Sequence, residues 1–174
     1  MTDKIDNNGM TDTSPRRWHA QSNTALRDSF DTINAHQRRV CSMCISLAAF
    51  IGHPLTGSEL PWAARHHDEA ERFLGDMPSP AKARFPMLAE QHAIAERQIL
   101  AEMSLSWTLT AKEQQMLHLC DKLDAYTWAR KHGARGPEWD AAHVMLMVMA
   151  DKFNAREWVK AEMANRVPAQ ETSK

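Results

Sequence analysis

Apolar residues recur at intervals of three and four along most of this chain, and no segment alternates apolar and polar residues over the length of a strand. Such intervals place side chains on one face of a helix, whereas a strand requires an interval of two. Six glycines and eight prolines are also few for a chain of many strands and turns. The pattern predicts an all-α fold, a compact single-domain bundle of roughly five or six helices.

The helix signals differ in strength along the chain. The clearest apolar stripe predicts a helix over 33–51, and His36 lies on that stripe. Capping-box patterns, in which Thr precedes Glu by three positions, predict helices over 56–75 and 110–133. Two prolines predict a loop over 75–80, and a moderately amphipathic helix of architectural role is expected over 87–103.

The last predicted helix is long and has a wide apolar face. Pro137 is the expected first residue, and the apolar face includes Val144, Met145 and Val148. This face exceeds what one small bundle needs to bury, so a homo-oligomer is predicted.

Length and charge bound the organisation and the partners. A chain of 174 residues favours one domain, here expected over 16–165 between a flexible polar tail at 1–15 and a polar tail at 166–174. The net charge of −1 gives no excess of positive charge to bind a polyanion, so polymeric nucleic acid is not expected as a partner. No apolar run is long enough to span a membrane, and the first fifteen residues lack a secretory signal, so a cytoplasmic location is expected.

The three cysteines predict structure rather than chemistry. Their number is odd, and Cys41 and Cys44 fall inside a predicted helix rather than at a redox turn. Burial as small apolar side chains is therefore expected.

Histidines beside carboxylates are the unusual feature of the composition. His67, Asp68 and Glu71 share one side of a predicted helix, and imidazole and carboxylate are ligands of divalent first-row metals. His36 and Asp121 lie on the apolar stripes of other helices, where an isolated ionisable group is costly. Each also has an ordinary explanation, a hydrogen-bonded core histidine or an aspartate paired with a buried arginine. The combination predicts a metal site with ligands His36, His67, Asp68 and Asp121.

A longer motif surrounds the His-Asp pair. Residues 64–82 are ARHHDEAERFLGDMPSPAK, which resembles the His-Asp block, the nearby Glu and the Gly-Asp-x-Pro-x-Pro-x-Lys loop of the HD-domain metal-dependent phosphohydrolases. His36 occupies the position of the first family histidine, and the segment 120–126 resembles the one with the last metal aspartate. The resemblance covers roughly residues 16–130 and implies an HD-type helical bundle.

Within that superfamily the chain is similar to bacterial 5′-deoxynucleotidases and to compact phage dATP triphosphohydrolases. The pair Arg17 and Trp18 matches theirs, which implies that Trp18 flanks the base and Arg17 contacts the sugar or phosphates. The same resemblance implies that Glu71 accepts a proton from water or orients it. Asp76 would bind a second ion or its waters, and Lys82 would stabilise the leaving phosphates.

Neighbouring residues receive lesser roles, and two features depart from the family pattern. Lys122 is expected to point away from Asp121, His66 to lie on the surface or behind the ligands, and Asp124 to orient a ligand or a basic residue. Ala35 stands where the relatives commonly have Glu, and the stretch from Trp18 to His36 is a few residues longer. Because of these departures, the resemblance does not determine which base is preferred.

Three functions remain open from the sequence. The first is metal-dependent hydrolysis of a deoxynucleoside triphosphate, with dATP preferred, to deoxynucleoside and triphosphate, in phage control of nucleotide pools within the host cytoplasm. The second is a 5′-deoxynucleotidase acting on monophosphates at the same centre. The third is a non-enzymatic helical assembly protein with a vestigial site. The ligand set suits Zn, Co, Mn or Fe, and Mg, Mn or Co could occupy a second site near Glu71 and Asp76.

Overall fold

A computed structural model describes residues 14–18 and 23–167 of the chain, with residues 79 and 80 described by their backbone alone. In chain order the helices are α1 (Thr24–Arg27), α2 (Ile33–Phe50), α3 (Leu60–His66), α4 (Glu71–Leu74), α5 (Ser79–Arg84), α6 (Pro86–Glu102), α7 (Ala111–Lys131), α8 (Pro137–Asp151) and α9 (Arg156–Arg166). The all-α prediction is confirmed: these ranges contain no strand, only one isolated bridge between Arg16 and Thr32. They also contain no helix that is long and apolar enough to cross a membrane.

Helices α2 and α7 form the centre of the bundle, and α3, α8 and α9 pack around them. Their fully buried apolar side chains include Val40, Met43, Leu47, Met116, Leu119 and Leu123. The three cysteines are free; Cys44 and Cys120 are buried in this core and Cys41 is half-buried. Because His36 and Asp121 belong to these two helices, the densest part of the molecule positions half of the predicted ligands.

Side-chain caps define where the two central helices begin. Thr32 Oγ1 accepts a hydrogen bond from the Ala35 amide at 3.2 Å at the start of α2. At the start of α7, Thr110 Oγ1 accepts from the Glu113 amide at 3.3 Å, and Glu113 Oε2 accepts from the Thr110 amide at 2.9 Å. This is the predicted capping box, and it satisfies donors that the first turn leaves unpaired.

The helix predicted over 56–75 is wrong in its start and in its continuity. No capping box forms at 56–59: Gly57 has φ +76° and α3 begins only at Leu60 without a side-chain cap. The chain leaves α-helical geometry at 67–70, where the Glu69 amide donates to the His66 carbonyl and the Glu71 amide to the Asp68 carbonyl. These bonds span three residues instead of four, which tightens the chain into turns.

The single final helix is also wrong, because it divides into α8 and α9. Asn154 adopts φ +55°, a left-handed conformation that Asn tolerates better than most residues. The Ala155 amide then donates to the Ala150 carbonyl at 3.0 Å, which closes the end of α8. The break lets both helices pack against α7, where Trp158 and Val159 of α9 are buried.

Helices α5 and α6, with the loop that precedes them, form an arm over residues 75–103. None of the side chains of α6 is buried, so the architectural role expected for this helix does not extend to the core. Its exposed apolar side chains include Met87, Leu88 and Ile94, and Phe85 and Met103 flank it. Besides α5, the helix that α6 contacts is α4, and the loop of the arm contributes the buried Met77.

The predicted tails fall largely outside the described residues, which begin at 14 and end at 167. Ser14 and Pro15 nevertheless belong to the folded part: Ser14 Oγ accepts from the Asn34 amide at 3.2 Å, and the Pro15 carbonyl accepts from the Ile33 amide at 3.0 Å. At the other end Arg166 closes α9. Residues just outside the predicted bounds 16 and 165 therefore take part in the described structure.

Candidate metal centre

The four predicted ligands meet at one point between α2, α3 and α7. His36 belongs to the first turn of α2 and Asp121 to α7, while His67 and Asp68 lie in the turn after α3. His36 Nε2 is 3.2 Å from Asp68 Oδ2 and 3.3 Å from Asp121 Oδ1. His67 Nε2 is 3.3 Å from Asp68 Oδ1 and 3.9 Å from Asp121 Oδ1.

The hydrogen bonds of the two histidines leave their inward nitrogens free for a cation. His36 Nδ1 is 2.7 Å from Asp124 Oδ2, and His67 Nδ1 is 3.0 Å from the Ala64 carbonyl. The Nε2 atoms of both rings are buried without a hydrogen-bond partner. Ligand atoms of His36, His67 and Asp121 lie within 4.8 Å of one another, so this group could hold a metal ion.

The electrostatics of the cluster favour positive charge. Burial and the charge of Arg17 oppose protonation of His36, yet the nearby carboxylates of Asp121, Asp124 and Asp68 raise its pKa well above the usual range. Burial disfavours the ionised form of Asp68, yet His67 and His36 hold its pKa well below its usual value. The site therefore attracts a cation, either a proton or a metal ion.

Asp124 contacts both a predicted ligand and a basic residue, as the orienting role expected from its position requires. Its carboxylate holds His36 Nδ1 and also accepts from Arg39 Nε and Nη2, each at 2.8 Å. Burial opposes the ionised form, but these hydrogen bonds lower the pKa of Asp124 to about 2. A carboxylate that orients a ligating imidazole in this way is common behind metal sites.

A cavity of about 410 Å³ opens directly onto the centre. Every residue that the sequence assigns to substrate or catalysis lines it, and so do two of the ligands: Arg17, Trp18, Glu71, Asp76, Lys82, Asp68 and Asp121. The sequence did not predict the aromatic wall made by Tyr126 and Trp139, whose ring centroids are 6.4 Å apart. Trp139 lies in the first turn of α8, and no local pattern links it to the His-Asp block.

The direction predicted for the Lys122 side chain is wrong. Its Nζ lies 3.1 Å from Asp121 Oδ2, and the side chain lines the same cavity instead of pointing away. A long lysine stem can bend back along a helix to reach a charge beside its own backbone position. The charge of Asp121 raises the pKa of Lys122, so this lysine is a second cation beside the centre.

His66 lies outside the metal cluster, against an exposed tryptophan. Its ring packs on Trp62, with centroids 4.1 Å apart, and it takes no part in the cluster.

Glu71 lies beside the ligands in an environment that favours its neutral form. Burial, followed by the charges of Asp68 and Asp76, raises the pKa of Glu71 to about 9. A positive charge at the centre would oppose this shift and favour the ionised carboxylate.

Arg17 and Trp18 are held at the cavity by a buried acid. Arg17 Nη1 and Trp18 Nε1 lie 3.3 and 2.9 Å from Asp31 Oδ2, whereas Arg17 Nε is buried without a hydrogen-bond partner.

No known family model, curated protein or solved structure matches this chain. The assignment of the site therefore depends on its own geometry: a His-Asp cluster that could hold a metal ion, beside a cavity lined by aromatic rings and by both basic and acidic side chains.

Proposed function

We propose that this protein is a metal-dependent phosphohydrolase of the HD type that acts on deoxynucleotides. The preferred substrate is a deoxynucleoside triphosphate, with dATP favoured, and the products are deoxynucleoside and triphosphate. One observation carries the proposal: two unpartnered buried imidazole nitrogens face two carboxylates at the floor of a cavity that also holds cationic side chains. The motif over 64–82 supports the same reaction class.

His36, His67, Asp68 and Asp121 would hold the metal, and a mixed nitrogen and oxygen ligand set suits Zn, Co, Mn or Fe. A bound ion of this kind polarises a phosphoryl oxygen and lowers the pKa of its water. Glu71 and Asp76 line the cavity beside this set and supply oxygen ligands for a second ion, Mg, Mn or Co.

Three cations bind the phosphates in this proposal. The buried Arg17 has one guanidinium nitrogen without a partner, which an oxygen of the substrate can accept from. Lys122 lies beside Asp121, and Lys82 lies on the arm across the cavity. A triphosphate brings more negative charge than a monophosphate, and cations spread over the cavity favour the longer chain.

Glu71 handles the proton of the attacking water. Burial and two neighbouring aspartates keep this carboxyl protonated, with a pKa of about 9, when no cation occupies the centre. A bound ion would favour the ionised carboxylate, which could then accept the proton from the water. The rings of Trp18 and Trp139 lie 6.5 Å apart at the cavity wall and provide flat surfaces for the sugar and base.

A substrate panel with metal analysis tests the proposal. The purified chain is expected to retain a divalent ion and to release triphosphate, not orthophosphate, from dATP. His67→Ala is expected to lose both properties, whereas His66→Ala, one position earlier and packed on Trp62, keeps both. Orthophosphate released from dAMP, with dATP untouched, would contradict the triphosphate assignment and establish the deoxynucleotidase alternative.

The same experiment separates the enzyme from a helical assembly protein with a vestigial site. If the wild-type protein holds no divalent ion and His67→Ala behaves like the wild type in every assay, the metal centre is refuted.

A further inference from the structure

A chain of buried and partly buried hydrogen bonds connects the cavity with the predicted metal ligand His36. Its central member is Asp31, whose side chain is fully buried just before α2. Asp31 Oδ2 accepts from Trp18 Nε1 at 2.9 Å and from Arg17 Nη1 at 3.3 Å. Asp31 Oδ1 accepts from Arg39 Nη2 at 2.7 Å. One carboxylate therefore holds two residues of the cavity and one residue of α2.

Arg39 continues the chain towards the centre. Its Nη2 is shared between Asp31 Oδ1 and Asp124 Oδ2, at 2.7 and 2.8 Å, and its Nε donates to Asp124 Oδ1 at 2.8 Å. Asp124 in turn holds His36 Nδ1 at 2.7 Å. The planar guanidinium fixes the two carboxylates relative to each other, because it cannot rotate without losing a bond to one of them.

We propose that Asp31 is a positioning residue that couples the Arg17–Trp18 wall of the cavity to the orientation of His36. The inference rests on the proposed function, because that function assigns a nucleotide substrate to the cavity and a metal ion to the His-Asp cluster. Asp31 itself touches neither. It acts through Arg39 and Asp124, so a displacement of Trp18 by a bound nucleotide is transmitted to the imidazole that binds the metal.

The chemistry of Asp31 explains why an amide cannot replace it. The carboxylate offers acceptors on both oxygens to three donors, and two of these donors belong to guanidinium groups. In Asp31→Asn one oxygen becomes an NH₂ group that faces an N–H donor. A buried donor is then left unpaired, and Arg39 or the Arg17–Trp18 pair must move.

Two measurements on the full-length chain test the coupling. One is the affinity for Co²⁺, and the other is the ¹⁵N NMR spectrum of the metal-free protein. Asp31→Asn is expected to weaken Co²⁺ binding, measured by chelator competition, by about three- to tenfold. In ¹⁵N NMR spectra without metal, it is expected to shift both the indole signal of Trp18 and the imidazole signal of His36. Asp28→Asn, which alters an exposed ion pair with Arg27, is the matched control and is expected to change neither.

Trp18→Phe provides a second variant that keeps the aromatic ring and removes a single donor to Asp31. It is expected to shift the His36 signal and to weaken Co²⁺ binding by about twofold or more. Trp158→Phe is its control, since it removes an indole bond to Ser46 Oγ at 3.0 Å outside this network.

The outcomes are distinguishable from failure of the proposed function. If the wild type hydrolyses no nucleotide, the proposed function fails, while the NMR comparison still tests whether Trp18 and His36 are coupled. If Asp31→Asn or Trp18→Phe leaves the His36 signal and the Co²⁺ affinity at wild-type values, the coupling is overturned.

Discussion

The two sides of the cavity are built in opposite ways. On one side the ligands come from α2, α7 and the turn after α3, and His36 is fully buried among carboxylates and Arg39. On the other side Asp76 and Lys82 lie exposed on the arm over 75–103, whose helix α6 buries no side chain. The packed side is fixed by the core, whereas the arm has few buried contacts to stabilise it.

This difference matches what each side has to do in the proposed reaction. Metal ligands must lie within a few tenths of an ångström of their places, which only packing and hydrogen bonds behind them can ensure. Lysine and aspartate that act on phosphates or on a hydrated ion do so through charge, which tolerates a less rigid support. We therefore expect changes on the packed side to alter metal binding and changes on the arm to alter substrate binding.

The largest effect is expected from removing a ligand on the packed side. Asp121→Asn takes away a carboxylate that lies 3.3 Å from His36 Nε2, and we expect Co²⁺ affinity to fall by at least about 100-fold. Asp76→Asn makes the same chemical change on the arm and is expected to leave the first ion's affinity within about threefold. Chelator competition measures both. Equal losses in the two variants would contradict the division into a packed side and an arm.

The next effect concerns the apolar surface of the arm. A helix of 17 residues without buried side chains is marginal by itself, and α8 also exposes Val144 and Val148 on the same chain. We predict that these faces are covered by a second copy of the chain. Leu88→Glu is then expected to weaken self-association by about 30-fold, measured by light scattering over a concentration series.

Gln91→Glu is the control for that prediction, because it adds the same charge to an exposed position of α6 without removing apolar surface. A wild-type protein that is monomeric at micromolar concentration would refute the self-association. An oligomer that survives Leu88→Glu but dissociates on Val148→Glu would restrict the interface to α8.

The packed side was largely predictable from the sequence, because its signals are local. A spacing of three and four identifies the inward faces of α2 and α7, and ionisable groups on those faces, such as His36 and Asp121, are costly unless they bind something. The capping box at Thr110 and Glu113 marks the start of α7 for the same reason: cap and helix are neighbours in the chain.

The remaining features depend on contacts between distant segments, which no local pattern reveals. Asp31 precedes α2 in a polar stretch, and its role follows only from side chains of Trp18 and Arg39 that fold around it. Trp139 reaches the cavity because α8 packs against α7. The turn at 67–70 breaks a segment whose local signals favour helix, so tertiary structure overrides them there.

A moderate effect on substrate binding is expected from removing Lys82 of the arm. Lys82→Ala removes a cation from the cavity wall, and we expect KM for dATP to rise by about tenfold, since a charged hydrogen bond to phosphate contributes roughly 1.5 kcal/mol. Co²⁺ affinity is expected to stay at the wild-type value. Lys112→Ala, an exposed lysine at the start of α7, is the control for general loss of positive charge. A loss of Co²⁺ affinity in Lys82→Ala would show that the arm shapes the ligand set.

The smallest effect is expected at the start of α7. Glu113 accepts hydrogen bonds from Ser58 and from Thr110, and these lower its pKa from 4.5 to about 2. A carboxyl whose pKa is lower in the folded state stabilises the fold above its unfolded pKa, and this stabilisation is lost as the pH falls through the folded value. Glu113→Gln is expected to lower the free energy of unfolding by about 1 kcal/mol at pH 7. The difference from wild type should shrink between pH 4.5 and about pH 2, as measured by urea denaturation at several pH values. Glu90→Gln, at an exposed position of the arm, is the control and is expected to leave the free energy of unfolding unchanged at every pH. An equal loss of stability in Glu90→Gln would contradict the contrast between α6 and α7.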